Sequence, residues 1–128
     1  MSRWVRVVPT DDLIEGRGVG GLVDASCVAV FRLPHYRYAV VGGIDPRSGA
    51  NVMAHGLTGS VDIDGHPVAF VASPLDKRRY RLDTGDALEP DAPGLGCWPF
   101  RIVDDIVEVA PLLPEPPTPM PSTLPAAR

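Results

Sequence analysis

The sequence predicts an all-β fold, an antiparallel sandwich or small barrel followed by a flexible tail. Three observations carry that expectation. Turn signals recur about every eight to twelve residues, the apolar runs between them are short, and no segment keeps a helical period. Thirteen glycines and fifteen prolines in 128 residues fit the same picture, since both residue types punctuate turns and interrupt helices. The length allows a single domain.

Taken in order, a first strand is expected at 4–8, where valines flank Arg6. The stretch 16–21 contains four glycines, but no helix follows whose N-terminus could receive a phosphate, so it reads as a flexible lead-in to a strand at 21–23. In the next strand, 26–32, Cys27, Ala29 and Phe31 share one face. Val28 and Val30 form the other, with Arg32 ending that second face in solvent. Cys27 reads as a small buried hydrophobe rather than half of a disulfide with Cys97. Further strands are expected at 37–41, 60–63, 68–71, 80–83, 97–103 and 106–110. Asp64-Gly65, Thr84-Gly85-Asp86 and Asp104-Asp105 separate neighbouring strands, Asp-Gly being a strong hairpin signal. Alternation in 97–103 puts Trp98, Phe100 and Ile102 on a core face.

From Pro111 onward there are seven prolines in eighteen residues. Such a segment has too few backbone donors to join a sheet, so polyproline II or disorder is expected there. The chain therefore divides into a β domain at 1–110 and a Pro-rich tail at 111–128, in which Pro114 and Pro117 make a P-x-x-P match.

Composition excludes several functions. A formal charge of −4 lacks the basic footprint of a nucleic-acid binder. No apolar run reaches the roughly 18 residues that span a bilayer, and the first residues show no signal-peptide core. With only two cysteines, the expectation is a reduced, cytoplasmic protein with no membrane partner. No nucleophile with a base at useful spacing stands out.

Two irregular stretches hold the candidate site: 42–59, with Asp45-Pro46-Arg47-Ser48-Gly49-Ala50 and Met53-Ala54-His55-Gly56, and 73–79, Ser73-Pro74-Leu75-Asp76-Lys77-Arg78-Arg79. Long loops on a β scaffold are where function concentrates. Seventeen residues separate His55 from Ser73, and Tyr80-Arg81-Leu82-Asp83-Thr84-Gly85 follows. This order resembles the Rieske iron-sulfur pattern of C-x-H, a spacer, C-P-x-H and a strand ending in a Thr-Gly turn. On that pattern Met53 stands at the first cysteine, His55 keeps its histidine, Ser73 replaces the second cysteine and Asp76 the second histidine. A Rieske centre takes two thiolates and two imidazoles, and hydroxyl and carboxylate are poor substitutes around a soft cluster.

The chain is similar to one branch in which the ligands are commonly missing, the small subunits of assimilatory NAD(P)H-dependent nitrite reductases. Trp4-Val5-Arg6-Val7, Val28-Ala29-Val30-Phe31-Arg32, Tyr38-Ala39-Val40, Asp45-Pro46 and Val71-Ala72-Ser73-Pro74-Leu75 carry this likeness over about 4–110. The resemblance implies a Rieske-like domain of three small antiparallel sheets with a two-loop subdomain. It also implies a non-catalytic partner for a large subunit that carries FAD, an iron-sulfur cluster and siroheme and reduces nitrite to ammonium. Degenerate ligand positions would be Met53, His55, Ser73 and Asp76, with no metal held. His55 is expected to cap loop backbone rather than bind a metal with Asp76. Lys77, Arg78, Arg79 and Arg81 form the one local basic patch and a candidate docking surface. The rival readings are a Rieske-type electron-transfer ferredoxin and a stand-alone β-barrel binding module.

Overall fold

Val28, Ala29, Val30 and Phe31 are fully buried in succession, so this strand has a core on both of its faces. That single fact organises the molecule. A computed structural model describes residues 4–90 and 92–111 and contains nine strands among them: β1 Val5–Pro9, β2 Gly18–Val23, β3 Ser26–Leu33, β4 Arg37–Gly42, β5 Leu57–Ile63, β6 His66–Ala72, β7 Arg79–Arg81, β8 Phe100–Val103 and β9 Ile106–Val109. They form three antiparallel sheets with strand orders β1-β9-β8, β2-β3-β4 and β5-β6-β7. The helical content among the described residues is three short 3-10 turns.

The period of two in β3 sends Val28 and Val30 into one core with Val8, Leu13, Val23, Val40, Val107 and Val109. Ala29, Phe31 and Leu33 enter a second core with Val41, Met53, Val71, Tyr80, Leu82 and Leu95. The middle sheet is therefore sandwiched between the other two. The second core lies under both candidate loops, because Met53 belongs to one and Tyr80 follows the other.

Two expected turns have the predicted chemistry. Asp64 and Gly65 lie at φ +52° and +83°, and Asp104 and Asp105 at +53° and +61°. Positive φ at both central positions is what a two-residue hairpin matched to strand twist requires. The turn at Thr84-Gly85-Asp86 differs from expectation. It leads back to a single bridge between Tyr80 and Ala87 rather than into a neighbouring strand.

Several placements correct the sequence reading. Trp98 and Phe100 are half-buried and Ile102 is 40% exposed, because β8 is an outer strand. The apolar layer of that sheet comes from Val107 and Val109 in central β9. The segment 97–103 becomes a strand only at Phe100, with Cys97 making an isolated bridge to Val41. Arg32 is not in solvent; it is half-buried, with its guanidinium 5.5 Å from the Tyr36 ring centroid. Cys27 is half-buried rather than enclosed, and both cysteines are free thiols. Gly18 to Gly21 are strand residues, not a flexible lead-in. A Cβ on Gly18 would stand 2.7 Å from the Ala54 carbonyl and one on Gly21 2.5 Å from Val7, so close packing selects glycine there. The Pro-rich tail, including Pro114 and Pro117, lies outside the described residues beyond Pro111.

Candidate functional site

Strand register brings the two loops to one end of the third sheet. Leu57 pairs with Ala72, and Ala72 with Arg79, so Gly56 and Ser73 leave the sheet side by side. Met53 N–H donates to Gly43 O and Gly56 N–H to Met53 O, which folds the end of the first loop into a 3-10 turn. The second loop closes on itself. Ser73 N–H donates to Arg78 O at 2.8 Å, and Lys77 N–H donates to Ser73 O at 2.9 Å.

The loops are joined by a residue outside the four ligand positions. Asp45 is fully buried, and its carboxylate accepts from the Ser73 hydroxyl at 2.8 Å and from Arg47 N–H at 2.9 Å. Burial pushes the Asp45 carboxyl up, but the donors from Arg47, Ser73 and Ser48 outweigh it and hold the group below its ordinary value. A buried carboxylate with several hydrogen-bond donors is stable as the anion. Ser73 Oγ also accepts from Leu75 N–H at 3.2 Å, which fixes the start of the second loop. The signal that could have found Asp45 was its place in Asp-Pro-Arg-Ser, a carboxylate next to a turn, read together with Ser73 as a buried hydroxyl needing an acceptor.

A second tie lies at the surface. Arg47 and Asp76 approach to 3.2 Å between Nε and Oδ2, while Asp76 Oδ1 accepts from Arg78 N–H at 3.0 Å. With Arg47 about half exposed, the pair contributes at most about 1 kcal/mol. Arg47→Ala is accordingly expected to lower stability by less than about 1 kcal/mol, more at low than at high salt, as read by urea titration at two ionic strengths.

The four degenerate ligand positions thus have separate fates. Met53 is fully buried in the second core, and Ser73 is buried against Asp45. Asp76 is occupied with Arg47, and His55 is exposed. The expected capping role of His55 is not what the structure has. Its imidazole makes no hydrogen bond among the described residues and instead lines a shallow cleft with Glu15 and Arg17. The structure does not bring His55 and Asp76 into a metal-binding group, nor is any group of three or more His, Cys, Asp or Glu found among the described residues.

These residues do not fit a two-iron cluster. The thioether points into the core, the hydroxyl donates to a carboxylate, and that buried anion sits where an anionic, sulfide-bearing cluster would need positive or neutral surroundings.

The basic patch is partly neutralised. Arg81 forms a two-pronged pair with Asp83 at 2.9 and 2.8 Å, which raises the Arg81 pKa and lowers that of Asp83. Arg78 meets Glu89 at 2.9 Å. Arg79 lies 5.4 Å from the Phe70 ring centroid. Lys77 and Arg79 are the members without a carboxylate partner among the described residues. Between the loops and the sheet, Tyr80 is 1% exposed. Burial, and then the Asp45 and Asp76 charges, raise its pKa, so its phenol stays protonated.

With this geometry in view, residues 3–110 match the Rieske-like [2Fe-2S] domain family. The chain is 32% identical over 110 residues to the nitrite reductase (NADH) small subunit of Salmonella typhimurium, covering 85% of this chain and 98% of that protein. It superposes with a TM-score of 0.71 and 29% identity on the solution NMR structure of the nitrite reductase NAD(P)H small subunit from Erwinia carotovora, covering 98% and 95% of the two chains. It is also 31% identical over 99 residues to part of the nitrite reductase NAD(P)H large subunit of Klebsiella oxytoca, covering 77% of this chain and 10% of that one.

Proposed function

The chain belongs to the Rieske-like [2Fe-2S] domain family, among the relatives of nitrite reductase small subunits, and from that membership we propose that it is a small, non-catalytic subunit of a cytoplasmic assimilatory nitrite reductase. It supports the assembly or activity of a large subunit that reduces nitrite to ammonium with NAD(P)H and carries FAD, an iron-sulfur cluster and siroheme. Residues 1–110 act as the working domain and 111–128 as an appended tail. The domain holds no redox group of its own.

The observation that carries this reading is the Asp45–Ser73 hydrogen bond. A Rieske-like two-loop scaffold is kept, but its loops are cross-linked by protein groups at the place where a cluster ligand would stand. A scaffold maintained without its redox centre is suited to recognition. The loop face offers Lys77 and Arg79, the cations of the patch not already paired, for contact with an acidic surface.

The test is to co-express the chain with the siroheme-containing reductase, purify the pair anaerobically, and compare nitrite-dependent NAD(P)H oxidation with and without the small chain. Co-purification and a higher rate with the chain are expected, together with no two-iron absorption or reduced-state EPR signal from the chain alone. A native iron-sulfur signal would instead return the protein to the ferredoxin reading, and failure to associate would leave the binding-module reading.

A further inference from the structure

β5 is the longest of the edge strands, and its outer side differs from those of β4 and β7. The open side of β4 is taken by the bridge from Val41 to Cys97 and the bond from Trp98 N–H to Val40 O. That of β7 is taken by Ala87 and by Leu88 N–H donating to Arg79 O. On β5 the cover stops at Thr58, whose hydroxyl donates to Gly16 O at 2.8 Å. From Gly59 to Ile63 no backbone hydrogen bond leaves the outer side among the described residues. An uncovered edge is a template for an added strand, and soluble proteins normally blunt such edges.

A cleft of about 490 Å³ opens beside this edge. Leu33, Pro34, Pro67 and Ala69 supply its apolar walls, and Glu15, His35 and Arg37 its charged and imidazole lining. A neighbouring cleft shares Glu15 and adds Arg17 and His55. The combined lining therefore carries two arginines and two imidazoles against Glu15, and β5 itself adds the exposed Asp62, opposite Pro67. Its corner is unusual. His35 and Tyr36 lie consecutively at φ +64° and +56°, a left-handed conformation that non-glycine residues rarely hold and that concentrates at functional positions. Tyr36 is thereby held 79% exposed with Arg32 stacked on it, the amphipathic kind of group that anchors interfaces.

We infer that the β5 edge from Gly59 to Ile63 takes up an extended, carboxylate-bearing segment of the large subunit as a fourth strand, with alternate side chains in the cleft and an acid on Arg37. The inference rests on the small-subunit reading. Arg37, exposed in the cleft and without a carboxylate partner among the described residues, sets the acid on the occupant. The Klebsiella relative, whose large chain contains a stretch similar to this domain, identifies the large subunit as its source. The surface is separate from the Lys77 and Arg79 face.

The experiment uses the purified large subunit and the full-length chain. Arg37→Glu and Ser60→Glu, both at exposed positions, are each expected to weaken association at least tenfold by titration. Arg6→Glu on the distant β1 strand is expected to stay within twofold of wild type. Amide hydrogen exchange in the wild-type complex is expected to slow at 59–63. Unchanged affinity of both cleft variants, or protection confined to the loops at 43–52 and 73–78, overturns the strand-addition site while leaving the small-subunit reading in place. Failure of the wild-type chain to bind the large subunit overturns both.

Discussion

Asp45→Ala is expected to lower the stability of the domain by about 3 kcal/mol, a drop of more than about 10 °C in Tm for a domain of this size. The reason is what the substitution leaves behind. Asp45 is fully buried and accepts from the Ser73 hydroxyl and Arg47 N–H. Removing the carboxylate strands the buried Ser73 hydroxyl and leaves the part-buried Arg47 N–H without its acceptor, and a buried donor without an acceptor costs more than the net worth of the bond it lost. Asp45→Asn is expected to cost less, since one amide oxygen can still accept from one donor. Ser73→Ala removes a single donor and is expected to be milder still, at roughly 1 to 2 kcal/mol.

The same residue gives a pH signature. The folded-state pKa of Asp45 lies below its ordinary value, so the stabilisation it brings is complete above the unfolded-state pKa of about 4. It is lost as the pH falls from there through the folded-state value. Wild type should therefore lose stability on acidification in that window more steeply than Asp45→Asn, which has no proton to take up at this site. Urea midpoints measured from pH 6 down to pH 3 check this. Parallel curves for the two proteins would show that Asp45 is not the anion that ties the loops.

The strands were legible in the sequence because their signals are local. Asp64-Gly65 and Asp104-Asp105 mark hairpins by backbone chemistry alone, and period-two alternation in 26–32 marks the central strand. What that alternation could not reveal was that both of its faces are covered, since Val28 and Phe31 are equally apolar and burial depends on sheets formed far away in the chain. The solvent position that strand period gives Arg32 fails for the same reason; its stacking on Tyr36 is set by a turn. The ligand positions were legible as a spacing, and so was the loss of thiolate and imidazole. Asp45 was not, because its partner lies twenty-eight residues away and a short polar turn reads alike whether it faces water or a buried serine. The charge run 77–81 overstated the free positive charge for a related reason. Asp83 and Glu89, which pair with Arg81 and Arg78, lie outside the run and are brought to it by the turn after β7.

Gly56→Ala is expected to be as damaging as the loss of Asp45, by a steric rather than an electrostatic route. Gly56 has φ −72°, which any residue adopts, so conformational freedom is not the issue. A Cβ built there would stand 2.3 Å from Ala72 O and 2.7 Å from Val71 Cγ2. Ala72 O belongs to the β6 backbone at the point where the second loop begins, and Val71 is fully buried in the second core. Neither can retreat by turning a side chain outward, so the added methyl must push the first loop off the sheet. Overpacking of this kind costs about 1 to 3 kcal/mol, occasionally more. Displacement should also lengthen the Asp45–Ser73 contact, because Gly56 and Ser73 leave the sheet as neighbours. The two losses are then coupled. Combining Gly56→Ala with Ser73→Ala should cost clearly less than the sum of the single changes, whereas Gly56→Ala with the remote Arg6→Ala should be additive. Thermal or urea unfolding of the four proteins measures the difference. Strict additivity in the first pair would mean that the loops are held independently, and that the hydrogen bond between Asp45 and Ser73 does not depend on how closely the first loop approaches β6.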